Sequence, residues 1–118
     1  MGDLEELLRT AAARFEPQIQ KQLRGLLGGI VRNYLPQEWV FRTEKEVAVL
    51  RVDRDGHAST GSAPSAHPDV TVEVPYKRLE AALRTGDPTK VPPGPVHVTP
   101  HTAKGKAAFD YLRSRLGL

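Results

Sequence analysis

Four histidines, His57, His67, His97 and His101, are the side chains of this sequence best suited to ligating a metal or moving a proton near neutral pH. A zinc site needs three or four ligands converging at about 2 Å, usually drawn from close pairs. Here His97 and His101 straddle a strand end and a proline, and no His-x-x-x-His or Glu-x-x-His falls on a helix. These are expected to be surface imidazoles, and no metal is expected. Ser59, Ser62 and Ser65 sit in or beside a loop, none in the G-x-S-x-G elbow that would present a hydroxyl to a base. Asp69 and Glu73 flank apolar residues on one strand and read as solvent-face charges, not as an acid/base pair. The glycines form neither G-x-G-x-x-G nor a Walker loop, so no nucleotide or other cofactor is expected. With no cysteine, thiol catalysis, disulfides and cysteine zinc sites are excluded. The chemistry left is non-covalent binding, with no catalytic residues.

The elements that would build such a site are organised around Asp69 to Leu83, DVTVEVPYKRLEAAL. Val70, Val72 and Val74 alternate with Thr71 and Glu73, the period of a half-buried strand. Pro75 has no N–H for the ladder and suits a helix start. Tyr76, Leu79, Ala82 and Leu83 then form one apolar stripe, closed by Gly86 and Asp87-Pro88. Upstream, Leu4, Leu7, Leu8, Ala11, Ala12 and Phe15 predict a helix from Leu4 to Glu16, with Asp3 as N-cap and Glu6 three residues on. Pro17 predicts a kink or short break, after which Ile19, Leu23, Leu26, Leu27, Ile30 and Val31 resume the period. Gly25, Gly28 and Gly29 weaken this second segment, and Leu35-Pro36 ends it.

Trp39 to Thr43 reads as a first strand, with Trp39 and Phe41 on one face. Val47 to Asp53 is the second, with Ala48, Leu50 and Val52 sharing a face. Asp55-Gly56 predicts a primed hairpin turn into a short third strand, His57 to Thr60. Gly61 to Pro68 is a surface loop, and Lys90 to Pro95 an extended connector. Val96 and Val98 are expected to point inward from the last strand, followed by a helix from Thr102 to Arg115 burying Ala108, Phe109, Leu112 and Leu116. The expectation is an α+β fold with a five-stranded, mainly antiparallel sheet covered by helices. At 118 residues it is read as a single domain over 1–118, with N-terminal helices in 1–35 and the sheet and its covering helices in 39–118.

The order Asp55-Gly56, then Asp69–Val74, then Thr85–Pro88, then Gly94–Val98 and a terminal helix resembles the sterol carrier protein type 2 domain, the SCP2-like lipid-transfer family. The resemblance spans Trp39 to Leu118. It implies that a lipid or other apolar molecule is held, without catalysis, between the sheet and its helices. The lining it implies is Trp39, Phe41, Leu50, Val52, Val72, Val74, Leu79, Leu83, Val98, Phe109 and Leu112, and plain core packing accounts for the same positions. Two departures stand out. Thr99-Pro100-His101 replaces the glycine common after the last strand, and Phe109 and Tyr111 bring aromatic bulk where the family often carries methionine.

The net charge of +3 is uneven. Residues 76–118 hold eight basic and three acidic groups, while residues 37–75 hold four basic and seven acidic. Lys77, Arg78, Arg84, Lys104, Lys106, Arg113 and Arg115 could meet an anionic membrane surface transiently, or form only a solvated face. They are not interleaved with exposed aromatics, so nucleic acid is not an expected partner. No apolar run reaches membrane-spanning length and the N-terminus is an acidic helix, so a cytoplasmic location is expected. The N-terminal helices are expected to fold onto their own sheet. A homodimer contact and a cavity lid stay open as alternatives, and with the first comes a rival reading: an interaction protein with no ligand. A third reading, an enzyme of acyl or isoprenoid substrates, would require His97 or Glu73 to be buried in a cavity.

Overall fold

The computed structural model describes residues 3–25, 29, 32–85 and 94–116, with side chains described as far as Asp110. The elements run α1 (Asp3–Arg24), β1 (Gln37–Arg42), β2 (Val47–Val52), β3 (Ala58–Gly61), β4 (Val70–Glu73), α2 (Tyr76–Thr85), β5 (His97–Pro100) and α3 (Ala103–Leu116). The strands form one mixed sheet in the order β3-β2-β1-β4-β5. β1 lies parallel to β4, and every other pairing is antiparallel. The α+β fold with a five-stranded sheet is the architecture the periodicities predicted.

Register fixes which side chains face the helices. Trp39 pairs with Leu50 and Val70, Phe41 with Ala48 and Val72, and Val72 with Val98. Because side chains alternate along a strand, these share one face. There Ala48, Val70, Val72 and Val74 join Leu4 and Leu8 of α1 and Tyr76 and Leu79 of α2 in the core. On the opposite face Val40 and Val49 are also sealed, at 1% and 0% exposure. The loop after β3, residues 62–68, is tied beside them, where Arg51 donates to the Ala63 carbonyl at 2.8 Å and Ser65 to Glu38 at 2.7 Å.

Four local expectations are corrected. First, α1 runs unbroken through Pro17. The proline removes one hydrogen bond, but the segment after it is held by tertiary contacts. Glu16 accepts from the Ala58 N–H at 2.8 Å, Gln20 meets the His57 ring at 3.0 Å, and Leu23 is buried. The later residues of that predicted segment, Leu26, Leu27, Gly28, Ile30 and Val31, lie outside the described residues, as do Gly86, Asp87 and Pro88.

Second, the hairpin is not a primed two-residue turn. Among the described residues Gly56 alone has positive φ, at 83°. The Gly56 N–H donates to the Asp53 carbonyl and the Asp53 N–H to the His57 carbonyl, each at 3.0 Å. This is a three-residue loop whose last residue is left-handed. The Asp53 carboxylate fastens it by accepting from the N–H groups of Asp55 and His57, at 2.9 and 3.0 Å. These bonds hold Asp53 below its ordinary pKa, the His57 N–H contributing most.

Third, the α1 N-terminus takes its acceptor from across the fold: the Leu4 N–H donates to Glu46 at 2.7 Å. Fourth, Val96 does not point inward. It precedes β5, past the end of β4, and is 43% exposed.

α1 nonetheless packs on its own sheet, burying Leu4, Leu8, Ala11, Ala12 and Leu23.

Candidate functional site

On the helix-facing side of the sheet the core grades into a strip that is only half-buried. Trp39, Phe41, Leu50, Leu83 and Val98 pack against the sealed cluster while keeping part of their surface. The rings of Trp39 and Phe41 lie 6.4 Å apart at 31°. Phe109 from α3 also approaches Trp39, at 6.4 Å and 50°. Tilted pairs at this spacing suit the aromatic quadrupole.

The indole is oriented by a residue the sequence reading left out of the site. Trp39 Nε1–H donates to Gln37 Oε1 at 3.0 Å. The Gln37 amide in turn donates to the Tyr34 carbonyl at 2.6 Å and the Lys104 carbonyl at 3.0 Å. Gln37 is buried and ties the strip to the first turn of α3. No motif announces this, because its partners come from two other segments.

Asp69 is a further correction. It is 5% exposed, not a solvent-face charge. Its carboxylate accepts from the Glu38 N–H at 2.8 Å and from the Thr102 hydroxyl at 2.7 Å, with Lys104 Nζ at 3.6 Å. Its N–H donates to the Glu38 carbonyl at 2.9 Å, and its carbonyl accepts from the His101 N–H at 2.8 Å. Thr102 also caps α3, accepting from the Gly105 N–H at 3.0 Å. Through its carboxylate and its backbone together, Asp69 therefore ties β1 and the start of β4 to the end of β5 and to α3, and its role is architectural.

The other implied lining residues fall in distinct places. Val72, Val74 and Leu79 lie within the sealed core. Val52 is buried toward the hairpin, opposite Gln37 and Ala58. The Leu112 side chain lies outside the described side chains.

Two open clefts flank the core. One, of about 710 Å³, lies at the ends of β1 and β4, lined by Val74, Pro75, Pro95 and Val96 together with Arg42, Glu73 and His97. A second, of about 520 Å³, runs between α1 and α2 and includes Leu7, Tyr76 and Leu83. His97 and Glu73 face each other across β4 and β5, and both are exposed, so neither is a buried acid or base. Among the described residues no buried side-chain nitrogen or oxygen lacks a partner, and no group of histidines and carboxylates could hold a metal ion. No described helix is long and apolar enough to cross a membrane.

Several of the basic residues are engaged internally. Arg78 donates to the Gly94 carbonyl and Lys104 to the Pro36 carbonyl, each at 2.5 Å. Arg84 lies 3.6 Å from Glu80, and Lys106 lies 2.9 Å from Asp110. Among the carboxylates, burial pushes the Glu38 pKa up. The Ser65 hydroxyl and N–H, with Arg51, outweigh it and leave the group below 4.5.

No family model matches the chain, and neither does any curated protein. Among solved structures, the chain is similar to sterol carrier protein 2 like 2 from Aedes aegypti, at 21% identity over 89% of this chain and 98% of that one, with a TM-score of 0.41.

Proposed function

We propose that this protein binds a lipid or comparable apolar small molecule non-covalently, between the sheet and its helices, and performs no chemistry on it. The observation that carries the reading is the half-buried strip of Trp39, Phe41, Leu50 and Val98, extended by Phe109, beside a core that is otherwise sealed. An alkyl chain laid along that strip asks only for water-free surface. Each methylene buried contributes about 0.8 kcal/mol against an association cost of about 4 kcal/mol or more, so about fifteen are needed for micromolar affinity. The order of motifs from Asp55-Gly56 to the terminal helix supports the same class of ligand. The basic C-terminal third would then favour ligands with anionic headgroups, or delivery at an anionic surface.

The test uses the single tryptophan, Trp39, which lies in the strip. Titration with oleate or cholesterol should shift its emission saturably, and solvent extraction of the purified protein should release a copurifying lipid. An unmoved emission together with a lipid-free extract refutes the reading. Binding to anionic vesicles should weaken with added salt, and salt-independent binding would remove the headgroup contribution.

A further inference from the structure

Four residues between β1 and β2, Thr43-Glu44-Lys45-Glu46, hold the N-termini of two different helices. Glu46 accepts from the Leu4 N–H of α1 at 2.7 Å. Glu44 accepts from the Tyr76 N–H of α2 with both carboxylate oxygens, each at 3.0 Å. A helix N-terminus carries unpaired N–H groups and a partial positive charge, so a carboxylate there makes a charge-assisted bond. In both helices that carboxylate comes from this one turn.

The turn itself is closed by the Thr43 N–H, which donates to the Glu46 carbonyl at 3.1 Å, and the Thr43 hydroxyl fastens it further. Thr43 Oγ1 accepts from the N–H groups of Lys45 and Glu46, at 3.2 and 3.1 Å, and donates to the Glu46 carbonyl at 2.9 Å. Lys45 then places its ammonium 4.6 Å from the centre of the Tyr76 ring. Thr43 thus sets the position of both capping carboxylates.

The two helices are also joined to each other. Leu4 and Leu8 of α1 share one cluster with Tyr76 and Leu79 of α2, and Arg14 donates to the Leu83 carbonyl. The far end of α1 is held separately, by the Glu16 bond to Ala58 and by Leu23 against Gly56.

We propose that the Thr43–Glu46 turn is a shared latch, from which the first turns of α1 and α2 are released as one unit while the C-terminal half of α1 stays on the β2–β3 hairpin. Release of this unit uncovers Ala48, Val70 and Val72, next to the half-buried strip. As a route of entry the latch rests on the apolar-ligand reading. As a coupled opening it does not, and hydrogen exchange of the unliganded protein tests it alone.

The experiment is hydrogen–deuterium exchange by mass spectrometry on the full chain, comparing wild type with Glu46→Ala, Glu44→Ala and Thr43→Val. Loss of one cap should speed exchange about five-fold. The expected result is that each substitution speeds both helix starts, residues 4–8 and 76–79, by similar factors. Residues 16–24 should keep their wild-type rate. Glu46→Gln and Glu44→Gln, which retain an acceptor oxygen, serve if an alanine variant fails to fold, and should show the same joint response at smaller size. Acceleration confined to α1 in the Glu46 variants and to α2 in the Glu44 variants overturns the proposal. Trp39 titration with oleate, run on the same variants, decides the ligand reading independently.

Discussion

Gly105→Ala sets local propensity against tertiary packing, and the two predict opposite signs. Gly105 lies in the first turn of α3, where alanine is a better helix former by about 1 kcal/mol. Considered alone, the helix should gain. In the fold, a Cβ at this position would meet the Asp69 carbonyl oxygen, approach its carbon to 2.9 Å and the Thr102 hydroxyl to 3.0 Å. The first two obstacles are backbone and cannot rotate away. α3 must therefore lift from β4, and such overpacking costs about 1–3 kcal/mol. The lift also pulls Thr102 from the Asp69 carboxylate and strains the His101 N–H bond to the Asp69 carbonyl, now 2.7 and 2.8 Å. Losing one bond to a buried charge costs about 1.5–3 kcal/mol more. Set against the propensity gain, the net loss is about 1.5–5 kcal/mol. In urea denaturation followed by far-UV circular dichroism, with a slope of about 2 kcal/mol per M, the midpoint should fall by about 1–2.5 M. A variant as stable as wild type, or more so, refutes the close approach of α3 to β4 and the role assigned to Asp69.

Three other outcomes follow from the same packing. Gly56→Ala forces a left-handed φ on a residue with a Cβ and sets that Cβ 2.8 Å from Leu23 Cδ1 and 3.2 Å from Ile19 Cγ2. It should lower thermal stability by about 1–3 kcal/mol, and an unchanged melting temperature would contradict the docking of α1 on the hairpin. Leu8→Ala empties a side chain that is 1% exposed in the central cluster and should cost about 2–5 kcal/mol in chemical denaturation, whereas a surface helix would lose well under 1 kcal/mol. Glu38 and Glu44 lie below their ordinary 4.5 and Asp53 below 3.8, Glu44 chiefly through the Tyr76 N–H. Each therefore binds a proton less readily folded than unfolded, so the stability it adds is present above its unfolded pKa and is lost as pH falls through the folded value. The melting temperature should be steady near neutrality and drop below about pH 4.5, and Glu44→Gln should flatten that drop. A protein equally stable on both sides of this range would contradict the assignment.

How much of this was legible in the sequence depends on the range over which each feature is encoded. Val70, Val72 and Val74 alternate with polar residues, and the period alone places them on a buried face. The spacing of Leu4, Leu8, Ala11 and Ala12 likewise identifies the side of α1 that packs, and Pro75 marks where β4 gives way to α2. The Asp55-Gly56 pair located the hairpin but not its turn type, because only the ladder decides how many residues remain unpaired. Val96 looked inward by alternation and is exposed because β4 ends before it can supply a neighbour.

The order and sign of the polar pattern, written within a few residues, determined the elements, their buried faces and the α+β class. Tertiary structure alone decided that β1 runs parallel to β4 and that Asp69 is buried. It also decided that Gln37 aims Trp39 and that two glutamates of one turn cap two helices. The bonds that hold Asp69 and Gln37 in place join residues 31 positions apart for Glu38 and Asp69, and 67 apart for Gln37 and Lys104, and the two caps span 42 and 32. Periodicity carries no information at such separations. A carboxylate that is buried and paired has the same letter, with the same neighbours in sequence, as one left in water, and only the closing of the chain distinguishes them.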